Sequence, residues 1–333
     1  MLLWRLGLRL SNRSVSFSLM KPAPGFSTFF SANRARFGWD LFDSAKPRLR
    51  LAFSNYLKVQ KRRYATFSEL GYSAKGGPRR PPNFNNFTNN IVKPTLFTLA
   101  FSAGTYFVVP YLFDNTPMRY FKQNPMHLLY GLIGINCAVF GLWQLRYNSS
   151  ALYRLLEQYF LMDRNSLTRK SNWSMVLSTF SHQEFFHLLI NMGCLYSFSL
   201  TMLSVMGVAN FTSIYLISGC VSSLASMVFS FLTRSYGCSL GASGAISAIF
   251  AGFAALFPTA SVAFFVFPIP GGASTALALF TAYNVGGCIF KWSTFDFAAH
   301  LGGTVVGYLW GLYYKEKIKS RYGRSRGGRR YSW

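Results

Sequence analysis

An all-α polytopic membrane protein is the fold class that three features of this sequence predict. Of its 333 residues 51% are hydrophobic and only 13% are charged, where a soluble domain carries about 25% charge. From residue 94 onward, apolar runs follow one another almost without a break. Each is near the ~20 residues that span ~30 Å of hydrocarbon as a helix. The charge is pushed to the two ends: 17 basic against 3 acidic residues in 1–93, and 8 against 1 in 315–333. The 221 residues between them carry only +4 of a net +25. These features exclude a disordered chain, a coiled coil and an ordinary soluble enzyme.

Taken in order, residues 1–64 read as an organellar transit peptide. Residues 1–39 hold six basic residues, no acid and a cluster of serines (Ser11, Ser14, Ser16, Ser18). Arg5, Arg9 and Arg13 form one basic stripe on a helix, with Leu3, Leu6 and Leu10 beside it. Arg-rich, Ser-rich, acid-poor and amphipathic is the profile of such a leader. Arg62-Arg63-Tyr64-Ala65 resembles a matrix-peptidase site cut after Tyr64; the alternative is a basic arm that is never cleaved. Residues 65–93, with Gly76-Gly77-Pro78, Pro81-Pro82 and an Asn-rich run, read as a flexible linker.

Seven spans follow, at about 95–113, 126–145, 185–207, 211–232, 239–257, 271–290 and 295–314. The first, with its loop, makes 94–125 a separate N-terminal unit ahead of a core at 126–314. Between the spans, the apolar run Thr259–Phe267 is bracketed by Pro258, Pro268 and Pro270. It is too short to cross and is expected in a loop or at the interface. The long connection 146–181 contains Leu152–Phe160, which reads as an amphipathic helix at the membrane surface. Residues 315–333 are expected as a basic disordered tail that meets anionic lipid head groups. Seven spans put two basic termini on opposite sides, so the positive-inside rule cannot serve both. The five basic residues of 146–181, against two acidic, share the N-terminal side and favour a matrix-facing N-terminus. Nucleic acid is not expected as a partner, because no zinc spacing or RNA-binding aromatic motif accompanies the charge. Five cysteines without a CxxC give no disulfide framework, and neither a metal nor a cofactor is implied.

Polar groups inside spans are expensive and therefore informative. His187 and Asn191 are at i,i+4 and share a helix face. His182, extrapolated on the same helix, would lie about 140° away from His187. The His182-Gln183-Glu184…His187 string has the wrong spacing for a zinc protease. Ser243 sits in Gly241-Ala242-Ser243-Gly244-Ala245, where small residues also suit plain helix packing. His300 begins the last span in Ala299-His300-Leu301-Gly302-Gly303, and Ala299, Gly303 and Gly307 form a small-residue ridge. If that ridge meets the small-residue opening of the Ser243 helix, serine and imidazole are neighbours. A serine beside a base becomes a nucleophile. The oxyanion that forms needs donors, for which His187, Asn191 and the Ser243 N–H are candidates. Asn284 is a further, weaker polar position.

The pattern His182-x4-His187-x3-Asn191, Gly241-x-Ser243-Gly244 and Ala299-His300-x2-Gly303-x3-Gly307 resembles the rhomboid intramembrane serine proteases. The extra N-terminal span and the leader are similar to the mitochondrial, presenilins-associated branch. The resemblance covers about 94–314 and implies a six-helix rhomboid core plus one extra N-terminal transmembrane helix. It further implies a Ser243–His300 dyad, an oxyanion hole containing His187 and Asn191, and supporting roles for His182, Gly241, Gly244, Gly303 and Gly307. Substrates would be single-span membrane proteins of the inner membrane, with a role in mitochondrial quality control, dynamics or apoptosis. Two departures stand out. The position four residues after Ser243, often Tyr in rhomboids, is Ser247, and Trp143 is followed by Gln144-Leu145-Arg146 rather than directly by Arg. Asp296 is either a third member that orients His300 or an acid at a helix N-terminus. The alternative function is a catalytically inactive relative that binds and escorts transmembrane helices; a carrier would more often show internal repeats.

Overall fold

The computed structural model describes residues 87–164, 171–235, 237–264, 267–292 and 294–325. The expected leader (1–64), its cut after Tyr64 and most of the 65–93 linker lie outside the described residues. Helix α1 (Lys93–Asn115) follows a π-helical turn at Thr88–Val92, so the end of the stretch expected as linker is already helical. Pro94 suits the first turn, where the N–H it lacks has no partner anyway. Thr116 stops the helix in extended geometry, and its hydroxyl accepts from Met118 N. The outer face of α1 is apolar, with Leu96, Leu99, Phe107 and Tyr111 all more than half exposed. Such a face suits hydrocarbon and not water.

Helix α2 (Pro125–Gln144) carries the next apolar run, and the amphipathic segment forms α3 (Ser150–Tyr159), capped by Ser149 Oγ on Leu152 N. Helix α4 (Phe185–Thr233) holds both central runs, in 49 residues. A straight helix of that length would reach about 74 Å. It does not, because Gly207 stands at φ 75° and ψ 163°, a conformation open to glycine alone. His187, twenty residues before this break, and Ser222, fifteen after it, both touch the loop at Gly241–Gly244. The halves 185–206 and 208–233 therefore double back beside each other, with no loop where the sequence suggested a short connection at 208–210. Phe211, Ile214 and Tyr215 of the second half are fully buried, as are Leu195 and Met202 of the first.

Helices α5 (Ser243–Leu256), α6 (Gly272–Ile289) and α7 (Phe297–Ser325) complete the bundle. Helix α5 is almost wholly buried and packs against both α4 and α7. The contact with α7 is backbone to backbone: a Cβ on Gly303 would meet Gly244 O, one on Gly307 would meet Ala248 O, and one on Gly311 would lie 2.9 Å from Gly252 O. The glycine ridge read at Gly303 and Gly307 thus continues one turn further. Helix α7 also runs past 314 to Ser325, so the first part of the expected disordered tail is helical instead. The apolar run 259–267, expected in a loop or at the interface, supplies most of a pair of short antiparallel strands, Val262–Phe264 with Phe267–Ile269. Two short strands elsewhere, Met162–Asp163 and Cys238–Ser239, pair antiparallel and tie the long connection to the entry of α5. Gly241 N–H donates to Ser178 O at 2.9 Å and Trp143 Nε1 to Ser181 Oγ at 2.7 Å at the same end. Among the described residues, Thr88–Asn115, Pro125–Gln144 and Phe185–Thr233 have both the length and the apolarity to cross a bilayer, whereas α5 is apolar but shorter.

Candidate active site

Ser243 is the first residue of α5, reached through a tight loop in which Gly241 adopts φ 130°. A side chain there would be strained, and its Cβ would also lie 2.8 Å from the His187 ring, so glycine is required twice over. Being first in the helix, Ser243 has an N–H with no carbonyl one turn earlier, and it points out of the helix end as a donor.

The glycine contact sets the distance between α5 and α7. With it in place, His300 Nε2 lies 2.9 Å from Ser243 Oγ. On the other edge of the ring, His300 Nδ1 lies 2.8 Å from Asn284 Oδ1 of α6. Asn284 is fully buried, and its Nδ2 donates to Phe280 O at 2.7 Å. Phe280 and Phe295 lie against the His300 imidazole, with ring centroids 5.9 and 6.4 Å away. Ser247, at the position where many rhomboids carry Tyr, donates its hydroxyl to Ser243 O at 2.7 Å.

Asp296 resolves as the helix-terminus acid. Its Oδ1 accepts from Ala299 N at 3.2 Å, as a cap of α7, and its Oδ2 accepts from Ser226 Oγ at 2.5 Å. The carboxylate is thereby spent on the helix end and on the second half of α4, and Asn284 holds the imidazole edge that Asp296 had been a candidate to hold. Thr304 Oγ1 donates to His300 O at 2.8 Å, adding a bond within α7.

His182 and His187 are neighbours, with ring centroids 4.9 Å apart at 65°. The helical angle that separated them does not apply, because α4 begins at Phe185 and His182 lies in the loop before it. His182 is fully buried, and its Nε2 accepts the Ala242 N–H at 3.4 Å. Accepting there leaves the proton on Nδ1. Burial, and then the neighbouring His187, push its pKa down to about 3, so the ring is neutral near pH 7. Asn191 is buried one turn beyond His187 and donates to His187 O at 2.7 Å, which uses one of its two amide protons. Gly244 packs against Ser222, where a Cβ would meet the hydroxyl at 2.6 Å. Ser243, His300, His187, His182, Gly241, Gly244 and Gly303 are thus gathered at one end of α5. Gly307 lies one turn along the ridge, and Asn191 is directed onto its own helix. Among the described residues, no three His, Cys, Asp or Glu side chains group as a metal-binding set.

A serine hydroxyl donating to an imidazole nitrogen, beside backbone donors at a helix start, is an arrangement that can form and stabilise a tetrahedral oxyanion. The model of the rhomboid domain matches residues 169–317, the stretch that supplies every one of these side chains. The chain is 43% identical over 236 residues to the Saccharomyces cerevisiae protein "Rhomboid protein 1, mitochondrial", covering 70% of this chain and 66% of that protein. This chain belongs to the rhomboid family, in its mitochondrial branch. It is also 36% identical over 189 residues to the human "Presenilin-associated rhomboid-like protein, mitochondrial" and 35% identical to a Danio rerio counterpart. These matches cover 56% of this chain, which spans about half the length of those two relatives (48%). As a rhomboid with several apolar helices it is an all-α mitochondrial membrane protein. Sequence reasoning named the serine, both site histidines of α4 and its preceding loop, and the base. It passed over Asn284 as a minor polar position and missed Phe280 altogether. The available signal was their i,i+4 spacing on α6, which puts an amide and a ring on one face.

Proposed function

We propose that this rhomboid is an intramembrane serine endopeptidase of the mitochondrial inner membrane, acting on single-span membrane proteins. The observation that carries the reading is the 2.9 Å bond between Ser243 Oγ and His300 Nε2. In the proposed reaction Ser243 Oγ attacks the scissile carbonyl carbon while its proton passes to His300 Nε2. The carbonyl electron pair becomes an oxyanion, held by the Ser243 N–H with His187 and Asn191. On collapse the C–N bond breaks and the imidazolium gives its proton to the leaving amine. Water, deprotonated by the same Nε2, then hydrolyses the acyl-serine ester. His182 supports the loop through the Ala242 N–H. A substrate helix hides its carbonyls in hydrogen bonds, so the segment that is cut must be one that unwinds readily near its end.

Among the described residues, the seven apolar helical segments, leaving out the amphipathic α3 and counting the two halves of α4 separately, support a topology of six core spans plus α1. In the same proposal residues 1–64 are a transit peptide and the mature chain starts at Ala65, which N-terminal sequencing from isolated mitochondria would test. The substrates, and through them a part in mitochondrial quality control, dynamics or apoptosis, belong to the same reading. The deciding test compares purified wild type with Ser243→Ala and His300→Ala in proteoliposomes, using a model single-span substrate. Cleavage by wild type and its loss in both folded variants is the expected result. Equal cleavage by Ser243→Ala would refute the nucleophile and leave a helix-binding role in its place.

A further inference from the structure

We propose that Asn284 is a positioning residue that locks His300 in the tautomer needed for catalysis, so that the working unit is a Ser243–His300–Asn284 chain and not a pair. This rests on His300 being the base in the function proposed above. The argument begins with the amide, whose oxygen and nitrogen ends are distinguished by their partners. Asn284 Nδ2 lies 2.7 Å from Phe280 O, one turn back on α6. A carbonyl can only accept, so the NH2 end must face it. The oxygen end is then turned to His300 Nδ1 at 2.8 Å. An amide oxygen can only accept, so Nδ1 carries the hydrogen. In a neutral imidazole the other nitrogen is then a lone pair, and Nε2 is the atom 2.9 Å from Ser243 Oγ.

The opposite tautomer would aim a proton at Ser243 and could not serve as a base. Among the described residues the Nδ1 edge has its hydrogen bond with Asn284 Oδ1, while the Asp296 carboxylate bonds Ala299 N and Ser226 Oγ. Asn284 is fully buried, where water cannot substitute for a lost partner and a carboxylate would be expensive to ionise. A neutral amide gives the directional acceptor without that charge. When the proton moves from Ser243 Oγ to Nε2, the Nδ1–H···Oδ1 bond becomes charge-assisted and roughly doubles in strength. The bond is therefore stronger in the transition state than in the resting site, the condition for lowering a barrier.

The test uses the full chain in proteoliposomes with the single-span substrate, comparing wild type, Asn284→Leu and Asn284→Asp. Only the gain on protonation, about half of a charge-assisted bond, enters kcat, so its loss lowers kcat about 3- to 15-fold. The expected result is that loss in Asn284→Leu with KM unchanged, and recovery of most of it in Asn284→Asp, which restores an acceptor. A residue that merely filled space would tolerate Leu, which is of similar volume, and any loss of kcat would move in parallel with thermal stability. The tautomer is read separately, by 15N NMR of histidine-labelled protein. The chain has only four histidines, and the His300 signals are those missing from His300→Ala. Wild type should show a proton on Nδ1 and a bare Nε2, with a mixture in Asn284→Leu. A wild-type spectrum with the proton on Nε2, or full kcat in Asn284→Leu, would overturn the proposal. Absence of cleavage by wild type would count against the function proposed above, while the spectrum still judges the lock.

Discussion

Replacing Gly307 by alanine adds one methyl group to a helix, and by propensity alone it should stabilise α7 by about 0.5–1 kcal/mol. The structure reverses the sign. The new Cβ would meet the Ala248 O, C and Cα atoms of α5, all backbone, where ordinary contact begins at 3.4 Å. Backbone cannot rotate aside, so α5 and α7 must part by roughly 1 Å, and overpacking of this kind destabilises by about 1–3 kcal/mol. Gly307 lies two turns beyond His300, and Ala248 five residues beyond Ser243. Parting the helices there therefore opens the 2.9 Å contact at their shared end. A misplacement of about 1 Å between reacting groups lowers the rate about 100-fold. The expected outcome for Gly307→Ala is both effects together, read as cleavage rate in proteoliposomes and denaturation midpoint in detergent. Gly134→Ala on α2 is the control, because a Cβ there meets nothing within 4 Å, and it should keep full activity with equal or higher stability. Wild-type activity and stability in Gly307→Ala would refute the glycine contact as the element that sets the serine–imidazole distance.

Two further outcomes follow from the same geometry. His182 has its folded-state pKa pushed down to about 3 from an unfolded value near 6.5, so the folded state binds fewer protons and its stabilising effect is complete above that unfolded value. It is lost as pH falls from about 6.5 toward 3, at up to about 1.4 kcal/mol per pH unit; unfolding midpoints measured across that window should slope downward in wild type and less so in His182→Gln, and equal slopes would exclude His182 as the source. Asp296→Ala removes the cap on Ala299 N and the tie to Ser226, with an expected loss of about 0.5–2 kcal/mol in detergent unfolding. Asp296→Asn, which still accepts, should recover most of it, and an unchanged midpoint in Asp296→Ala would show that the α7 terminus is held without the cap.

Much of the bundle was legible because apolar surroundings force a backbone to satisfy its own hydrogen bonds, and a long apolar run then has little choice but helix. Proline and glycine punctuation placed most helix ends within a few residues. The reversal at Gly207 was not legible as such: a reversal usually needs a polar loop, and here one glycine in a conformation closed to other residues replaces it. The pairing of 262–264 with 267–269 was hidden for a related reason, since a short apolar run carries no periodicity that separates strand from loop. The neighbouring serine and imidazole were readable because each sat in a small-residue context that suits close helix approach. Asn284 was legible only as a weaker polar position, because its partner lies on another helix and the contact depends on how α6 is rotated; the spacing to Phe280 shows a shared face but not what that face meets.

The length of α5 reconciles a polar reaction with an apolar bundle. Fourteen residues make about 21 Å of helix, some 9 Å short of the hydrocarbon thickness. Three described connections gather at the Ser243 end: the short strand pair 162–163 with 238–239, the Gly241 bond to Ser178 O and the Trp143 bond to Ser181. In the proposed topology that end makes up the missing length with irregular, hydrogen-bonded chain, which is tolerated at such depth where it is buried in protein or borders a water-filled cavity. A longer α5 would carry its first residue out to the membrane surface and away from any buried peptide bond. A shorter one would lose the turns at Ala248 and Gly252 that hold Gly307 and Gly311 and so fix the imidazole. The helix start supplies N–H donors, the loop supplies polar surroundings, and the glycine contact supplies the base. Each requires α5 to begin where it does.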